Sequence, residues 1–463
     1  MIGESVEHPA YGKGQIVALF RNGTEWLVRF ENGLRFRRPR HEFSGQQEPA
    51  MKAPLPMPIP TATPMSHSQF AARQLLEALR VGIAPLQHIQ ELTIGLTSER
   101  ASLTTALNRA HQTGGAVRAV VGDYGFGKSH IVELTTQEAL KRNFLVANAS
   151  LDLVELPPHK IFDIYGELLR DLRYPNNDER GVAPLFEAAA EQARIAQQMR
   201  ELASAPPDPL LAVLAVANDT LSSRQRQGWL QWLISGRANE AMKKSMPRKF
   251  KVPSLYRQGN NARQMAYLLS GLSVLARLVG YSGLCLLIDE AESYSLLTPK
   301  QQQKADLFFT SLIYSALQET QSLIRADQLP QHHVRDFPLT YGGRQSLFFL
   351  FTVTRSDNRM PLEKWLADEL VIELDPHHSA QEIGQFLQQV LGYHAQAYSY
   401  EAGDRQGQIR RGAAELLALG MRSHNLSIRG VVRLAVELFD LLYLYPDYAA
   451  AGLLDELRTL VQT

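Results

Sequence analysis

The sequence predicts an α/β protein: a layered parallel sheet with a long helical insertion and a C-terminal helical lid, preceded by a small all-β barrel of the SH3 or Tudor type. Three observations carry this reading. Short apolar runs at 116–121, 144–149, 284–288, 347–353 and 371–374 have the composition of strands buried on both faces. Helically spaced segments separate them, which is the alternation of a βαβ sheet. Residues 1–44 instead alternate apolar and polar side chains in period two around Asn22-Gly23 and Asn32-Gly33, both strong hairpin signals.

Taken in order, the β module (1–44) is followed by a segment rich in Pro, Ala and Thr and without periodicity (45–68), expected to be an extended linker. From Gln69 the apolar residues of "AARQLLEALR" recur at helical spacing. The sheet-bearing body is assigned to 69–375, with a mostly helical insertion over about 155–280 between the second and third apolar runs, and the helical lid to 376–463. At 463 residues the chain is long enough for two to four domains. A net charge of +1 creates no global field toward nucleic acid or membrane, so any such contact needs a local patch. The lone cysteine, Cys285, excludes an internal disulfide framework and a cysteine-based zinc site. The N-terminus lacks the pattern of a secretory leader, and no run approaches a membrane span, so a cytoplasmic location is expected.

The chemistry centres on "VVGDYGFGKSH" (120–130), an apolar strand leading through a glycine-rich turn into a helix. Gly122, Gly125 and Gly127 leave room for backbone N–H groups to converge on phosphate oxygens, and the helix start favours negative charge. Asp123, Tyr124, Phe126 and His130 complete the loop. Lys128 is placed to pair with the terminal phosphates and Ser129 to ligate Mg²⁺. "LCLLIDEAE" (284–292) ends an apolar strand in two carboxylates: Asp289 to hold Mg²⁺ and Glu290 to polarise an attacking water. The competing reading is a mere acidic helix start. The strand at 347–353 ends near Thr352, Thr354 and Arg355; Thr354 is the preferred sensor of the γ-phosphate and Thr352 the runner-up, although threonine also suits a strand by propensity alone. In "SHNLSIRGVVRLAVELFD" (423–440), Asn425 or Ser427 can cap a helix carrying Arg429 in its first turn. A cation there opposes the helix dipole, which a contact to phosphate would explain.

Together these motifs make residues from about 69 to 460 resemble an AAA+ ATPase of the additional-strand, catalytic-glutamate class. Within that class the chain resembles the ATP-binding proteins of BREX phage-resistance systems, the BrxC/BrxD group. "LLEALRVGIAP" (75–85), "GGAVRAVVGDYGFGKSH" (114–130), "NNARQMAYLLSGLSVLARLVGYSGLCLLIDEAE" (260–292) and "LSIRGVVRLAVEL" (426–438) carry the resemblance. It implies ATP and Mg²⁺ binding, ATP hydrolysis, nucleotide-dependent or partner-induced assembly, and action on DNA or alongside a helicase of the same defence system. By the same resemblance Ile94 and Gly95, in "TIGLTSER", lie near the adenine. A scaffold that senses nucleotide with little hydrolysis, and recruits a helicase or RNA polymerase through the β module, is the alternative function.

Residues 1–44 resemble the Tudor-like module of superfamily 1 helicases and of CarD-type RNA polymerase-binding proteins, through His8, Tyr11, Gly12, Gly14 and Val17. Arg35, Arg37, Arg38 and Arg40 form a local cationic cluster near Trp26, Phe30 and Phe36, a mixture suited to nucleic-acid contact or to an ordinary solvated face. A second basic run, Lys243, Lys244, Arg248, Lys249 and Lys251, reads as a solvated helix end or loop, with contact to DNA or a partner as the alternative. The pairs His332-His333 and His377-His378 lack the partners of a metal site. Arg325, Arg335 and Arg344 are equal candidates for an arginine acting across a subunit boundary.

Overall fold

In the computed structural model the chain forms two compact units, 1–65 and 66–463, each described here by itself. The structure describes residues 2–43 except 10, 21, 22, 32 and 34, and residues 65–445 except 83–87, 90, 218–220, 246–251, 292–295, 319–321, 356–359, 375–378, 401–406, 408, 415 and 417–427.

The first unit is an antiparallel sheet in the order β1-β2-β3-β4, built from β1 (Ser5–His8), β2 (Gly12–Phe20), β3 (Glu25–Phe30) and β4 (Arg35–Pro39). Gly23 and Gly33 take the left-handed conformations that the two Asn-Gly turns require. One face buries Ile16, Trp26, Val28, Phe30 and Phe43, a small core. A register shift between Ile16 and Ala18 bends β2, as a β-bulge does.

The second unit contains a parallel sheet in the order β6-β7-β8-β5-β9. Its strands are β5 (Gly115–Gly122), β6 (Phe144–Ser150), β7 (Gly283–Asp289), β8 (Leu347–Thr354) and β9 (Val371–Glu373), in close agreement with the five apolar runs. Strand β8 therefore lies between β5, which leads into the glycine-rich turn, and β7, which ends in Asp289. Alternate residues divide the sheet cleanly between two cores. Val117, Leu286, Phe349 and Phe351 face one layer, while Val120, Leu287, Phe348 and Leu350 face the other. Burying each such side chain contributes about 1.5–3 kcal/mol.

Helices α2 (Thr97–Gln112) and α3 (Lys128–Lys141) cover the second face. The first is covered by α4 (Ile161–Asp171), α10 (Ala262–Val279) and α11 (Pro299–Leu317). Between α4 and α10 the insertion folds into five short helices, α5 (Ala183–Ala190), α6 (Ala193–Leu202), α7 (Pro209–Ala217), α8 (Ser223–Ser235) and α9 (Glu240–Ser245), which extend the same apolar core. The short helix α12 (Leu362–Trp365) leads to β9.

A separate apolar core gathers α13 (Ala380–Tyr398), α14 (Ile428–Leu444) and α1 (His67–Arg80), together with Leu92 and Ile94. Helix α1, which its position in the sequence assigns to the sheet body, thus packs as a lid helix. It also begins two residues before the helical pattern becomes visible, because Ser66 and Gln69 form a reciprocal capping box. Arg80 fixes this packing by donating to Glu437 at 2.9 Å and to Asp440 at 2.6 Å. Fully buried His394 lies 3.2 Å from the other Asp440 oxygen. Burial raises the Asp440 pKa, but hydrogen bonds from His394, Arg80 and Tyr398 outweigh it, and the carboxyl titrates below its usual range. No described helix is long and apolar enough to cross a membrane.

Candidate nucleotide site

The site lies along the C-terminal edge of the parallel sheet, where ligands of open α/β sheets bind. Strand register fixes its parts. Gly122 is the Cα partner of Thr354, Val120 that of Thr352, and Ser150 that of Asp289. Four consecutive strands of the sheet therefore deliver the glycine-rich turn, the two threonines, the two carboxylates and Ser150 to one edge.

The turn itself is shaped for an anion. Gly125 and Gly127 adopt φ of 85° and 90°, which side-chain-bearing residues rarely reach, and Gly127 caps α3 with no side chain bonded to the helix's first amides. The orphan N–H groups of a fourteen-residue helix thus face the turn with their partial positive charge. The Lys128 ammonium is buried in the turn, where it donates to the carbonyls of Gly122 at 3.2 Å and Asp123 at 3.3 Å. Asp123, Phe126 and Gly125 are half-buried, whereas Tyr124 projects into solvent, 81% exposed. Ser129 is exposed in the first turn of α3.

Asp289 and Glu290 are organised by Thr352. The Thr352 hydroxyl, fully buried, donates to Asp289 Oδ1 at 2.5 Å and accepts from the Glu290 N–H at 3.1 Å. The same N–H lies 3.0 Å from Asp289 Oδ1. These bonds hold Glu290 at φ 58°, a left-handed conformation that costs a non-glycine residue about 1–2 kcal/mol. Strain of this kind concentrates where a side chain must be aimed. The Glu290 carboxylate is exposed and accepts from Ser150 Oγ at 3.4 Å. Ser150 escaped the sequence reading because a serine closing an apolar run carries no signal until β6 is seen to run beside β7.

The two threonines differ sharply. Thr352 is committed to the carboxylates. Thr354 is 5% exposed, and its hydroxyl has no hydrogen-bond partner among the described residues, although its strand neighbour is the first glycine of the turn. A buried hydroxyl without a partner costs about 1–3 kcal/mol, which a phosphate oxygen accepting from it would recover. Arg355, next in sequence, pairs with Glu373 on β9.

On the other side of α3, His130 Nε2 lies 2.8 Å from Thr93 Oγ1, whose proton goes to the Ile89 carbonyl at 2.5 Å. The imidazole is therefore the donor, in its neutral Nε2–H form. Burial and, after it, the charge of Arg100 lower its pKa to about 4. This bond ties α3 to the segment holding Ile94 and Gly95. Ile94 is buried in the lid core, Gly95 has φ of 62°, and Leu96 packs against the sheet core, so the segment spans the two bodies.

Arg429 lies in the first turn of α14, and its side chain, like Asn425 and Ser427, falls outside the described residues. The other candidate arginines are engaged within the chain. Arg325 pairs with Asp327 at 2.8 Å, Arg335 donates to the carbonyls of Pro206 and Pro207, and Arg344 donates to those of His111 and Gln112. His332 stacks on Tyr256 with ring centres 4.0 Å apart. Lys243 pairs with Glu240, whereas Arg248, Lys249, Lys251, His377 and His378 lie outside the described residues. Among the described residues no three His, Cys, Asp or Glu side chains group as a metal cage.

A strand-turn-helix phosphate cradle, with an extra strand between it and an Asp-Glu strand end, is the P-loop AAA+ arrangement. Residues 68–187 match the family of the BREX system ATP-binding protein BrxC/D. The matched BrxC/D segment runs from α1 through the phosphate loop to α5, and so takes in Lys128 and Ser150 but not Asp289. Among solved structures, the chain is similar to the Walker-type ATPase PABY2304 of Pyrococcus abyssi, at 12% identity and a TM-score of 0.34, covering 80% of this chain and 76% of that one. It is also similar to a RuvB mutant of Thermotoga maritima (13%, TM-score 0.30, 80% and 71%) and to the Aeropyrum pernix ORC1 protein in complex with DNA (11%, TM-score 0.29, 76% and 62%). These superpositions are too loose to inform individual residues. The comparison with curated proteins gives no match.

Proposed function

We propose that the chain is a Mg²⁺-dependent ATPase of a BREX-type phage-resistance system, in which ATP turnover switches the lid and thereby the affinity for DNA or a protein partner. The observation that carries this reading is the convergence of Lys128, Asp289, Glu290 and Thr354 on one sheet edge, with Glu290 held in a strained backbone conformation. The residues present fit the groups they would hold. The amides of 125–129 and the Lys128 ammonium suit phosphate oxygens. Ser129 and Asp289 offer the hard oxygens that Mg²⁺ takes. Bound Mg²⁺ would neutralise charge on the transferring phosphoryl group.

The rest of the chemistry belongs to the chain. Lys128 leaves its two carbonyl partners for phosphate. Glu290 turns from Ser150 to accept hydrogen bonding from the attacking water. Thr354 donates to the phosphate oxygen nearest Gly122, and Arg429 contributes a positive charge from the lid. Ile94 and Gly95 contact the base, which puts the nucleotide between the sheet body and the lid core and explains how its presence changes their relation. The likeness of 68–187 to BREX ATP-binding proteins supports the defence role, with a helicase of the same system as client and nucleotide-dependent self-assembly as an intermediate state. Phosphate release from purified protein, with and without single- or double-stranded DNA, tests the proposal. Turnover that survives both Lys128→Ala and Glu290→Gln would sink it.

A further inference from the structure

The four arginines adjacent in sequence at the end of the β module do not form one cluster. Strand β4 divides them between the two faces of the sheet. Arg38 lies half-exposed on the face that carries the aromatic core, donating to the Tyr11 hydroxyl at 3.0 Å with its guanidinium over the Tyr11 and Phe36 rings. Arg40, just past the strand, lies over Trp26. These two serve the module's own packing.

Arg35 and Arg37 stand on the opposite, outer face, where the structure adds a cation that sequence proximity did not reveal. Arg29 on β3 is the direct cross-strand partner of Arg35, and both are exposed. Like charges directly opposite in an antiparallel pair are destabilising. Neither Arg29 nor Arg35 has a carboxylate partner among the described ion pairs. Gln15 continues the row on β2, paired with Arg29, and exposed Lys13 lies two residues along the same face. Arg37 sits diagonal to Arg29, its guanidinium 4.3 Å from the centre of the Phe20 ring, which remains 38% exposed. Three carboxylates border the patch. Glu25 pairs with Arg37 at 2.5 Å beside Phe20, Glu7 faces Lys13 across the strand, and exposed Glu31, two residues beyond Arg29, adjoins Lys13 through a backbone N–H bond to its carbonyl at 3.0 Å. The centre of the face, Arg29 with Arg35, remains uncompensated.

We infer that this outer face binds the phosphate backbone of a single-stranded nucleic acid. Arg29, Arg35 and Lys13 hold successive phosphates, and Phe20, backed by Arg37, presents a ring on which a base stacks. Cross-strand neighbours lie about 4.5–5.5 Å apart and same-face residues along a strand about 6.6–6.8 Å apart, so one polyanion reaches all three cations. The alternating phosphate and base of a single strand match a patch that mixes guanidinium with an accessible ring. A bound strand would also remove the repulsion that the bare face carries, a gain no neutral partner supplies. The inference concerns the β module alone and stands whether or not the second unit hydrolyses ATP.

Fluorescence anisotropy of the full chain with a labelled single-stranded oligonucleotide, titrated at several salt concentrations, tests it. The wild type is expected to bind with a salt-dependent affinity. Arg29→Gln with Arg35→Gln is expected to reduce the slope of log K against log salt by about 1.4, or about 0.7 per phosphate contact. Phe20→Ala is expected to weaken binding at least about fivefold while leaving the slope unchanged, as loss of stacking does. Lys243→Gln with Lys244→Gln, in the other basic run, is expected to change neither. Unaltered circular dichroism and thermal midpoint in each variant keep unfolding from imitating the result. No binding by the wild type, an unchanged slope in the arginine variant, or binding to a duplex of equal length but not to the single strand would each overturn the inference.

Discussion

The pair Thr352 and Thr354 offers a close test of how the site works, because the same Thr→Val change should do opposite things two residues apart. In Thr352→Val the Asp289 carboxylate loses the bond it accepts at 2.5 Å, and the Glu290 N–H loses its bond to the hydroxyl while keeping its contact to Asp289. A hydrogen bond to a charged group contributes about 1.5–3 kcal/mol, so the variant should lose about 2 kcal/mol and melt several degrees lower. Glu290 would then relax from φ 58° and carry its carboxylate out of line. Loss of a residue that orients a metal-binding carboxylate typically lowers activity or metal affinity by about 10–100-fold. Turnover should fall by that factor, with a raised Mg²⁺ requirement. Thr354→Val removes a hydroxyl that has no partner among the described residues, so stability should hold or rise slightly while turnover falls. Thermal melts and Mg²⁺-titrated phosphate release on both variants read all four quantities. If Thr352→Val melts and turns over like the wild type, or if Thr354→Val is destabilised equally, the assignment of the two roles is wrong.

Three further outcomes are expected. Ser150→Ala frees Glu290 from its 3.4 Å contact, and since a hydrogen bond of that kind contributes about 0.5–1 kcal/mol, basal turnover without a partner should rise about two- to fivefold in a phosphate-release assay. Arg80→Ala strips Asp440 and Glu437 of their cation beneath the lid, and hydrogen exchange should accelerate in α1, α13 and α14 while β5 and β8 keep their protection. The His130 pKa of about 4 lies below the ordinary value of 6.5, so the unfolded chain takes up the proton first and stability falls as pH drops from about 6.5 toward 4. The loss should be about 3 kcal/mol, with His130→Gln flattening that part of a pH-dependent denaturation series.

Much of the sheet was legible because burial on both faces leaves a composition that needs no knowledge of neighbours: 284–288 and 347–353 could hardly be anything but inner strands. The phosphate loop was legible for a related reason, since Gly125 and Gly127 record a backbone shape directly in sequence. What stayed hidden depended on which elements meet. That α1 is a lid helix follows from packing against α13, more than three hundred residues away in sequence. The division of labour between Thr352 and Thr354 follows from the register of β8 between β5 and β7, and strand propensity is the same for both. The arginine patch misled for the same reason. Of four neighbours in sequence only Arg35 and Arg37 share the outer face, and the true companion of Arg35 is Arg29, supplied by the adjacent strand.

The central claim is that Glu290 drives hydrolysis at the site Lys128 builds. It is tested most directly by following radiolabelled ATP on the wild type, Glu290→Gln and Lys128→Ala, measuring bound nucleotide and released phosphate in the same samples. Removal of a general base typically costs about 10²–10⁴-fold, so Glu290→Gln should retain ATP while releasing phosphate at least about a hundredfold more slowly. Lys128→Ala should fail to retain ATP. Phosphate release from Glu290→Gln at the wild-type rate, with ATP bound, would contradict the account.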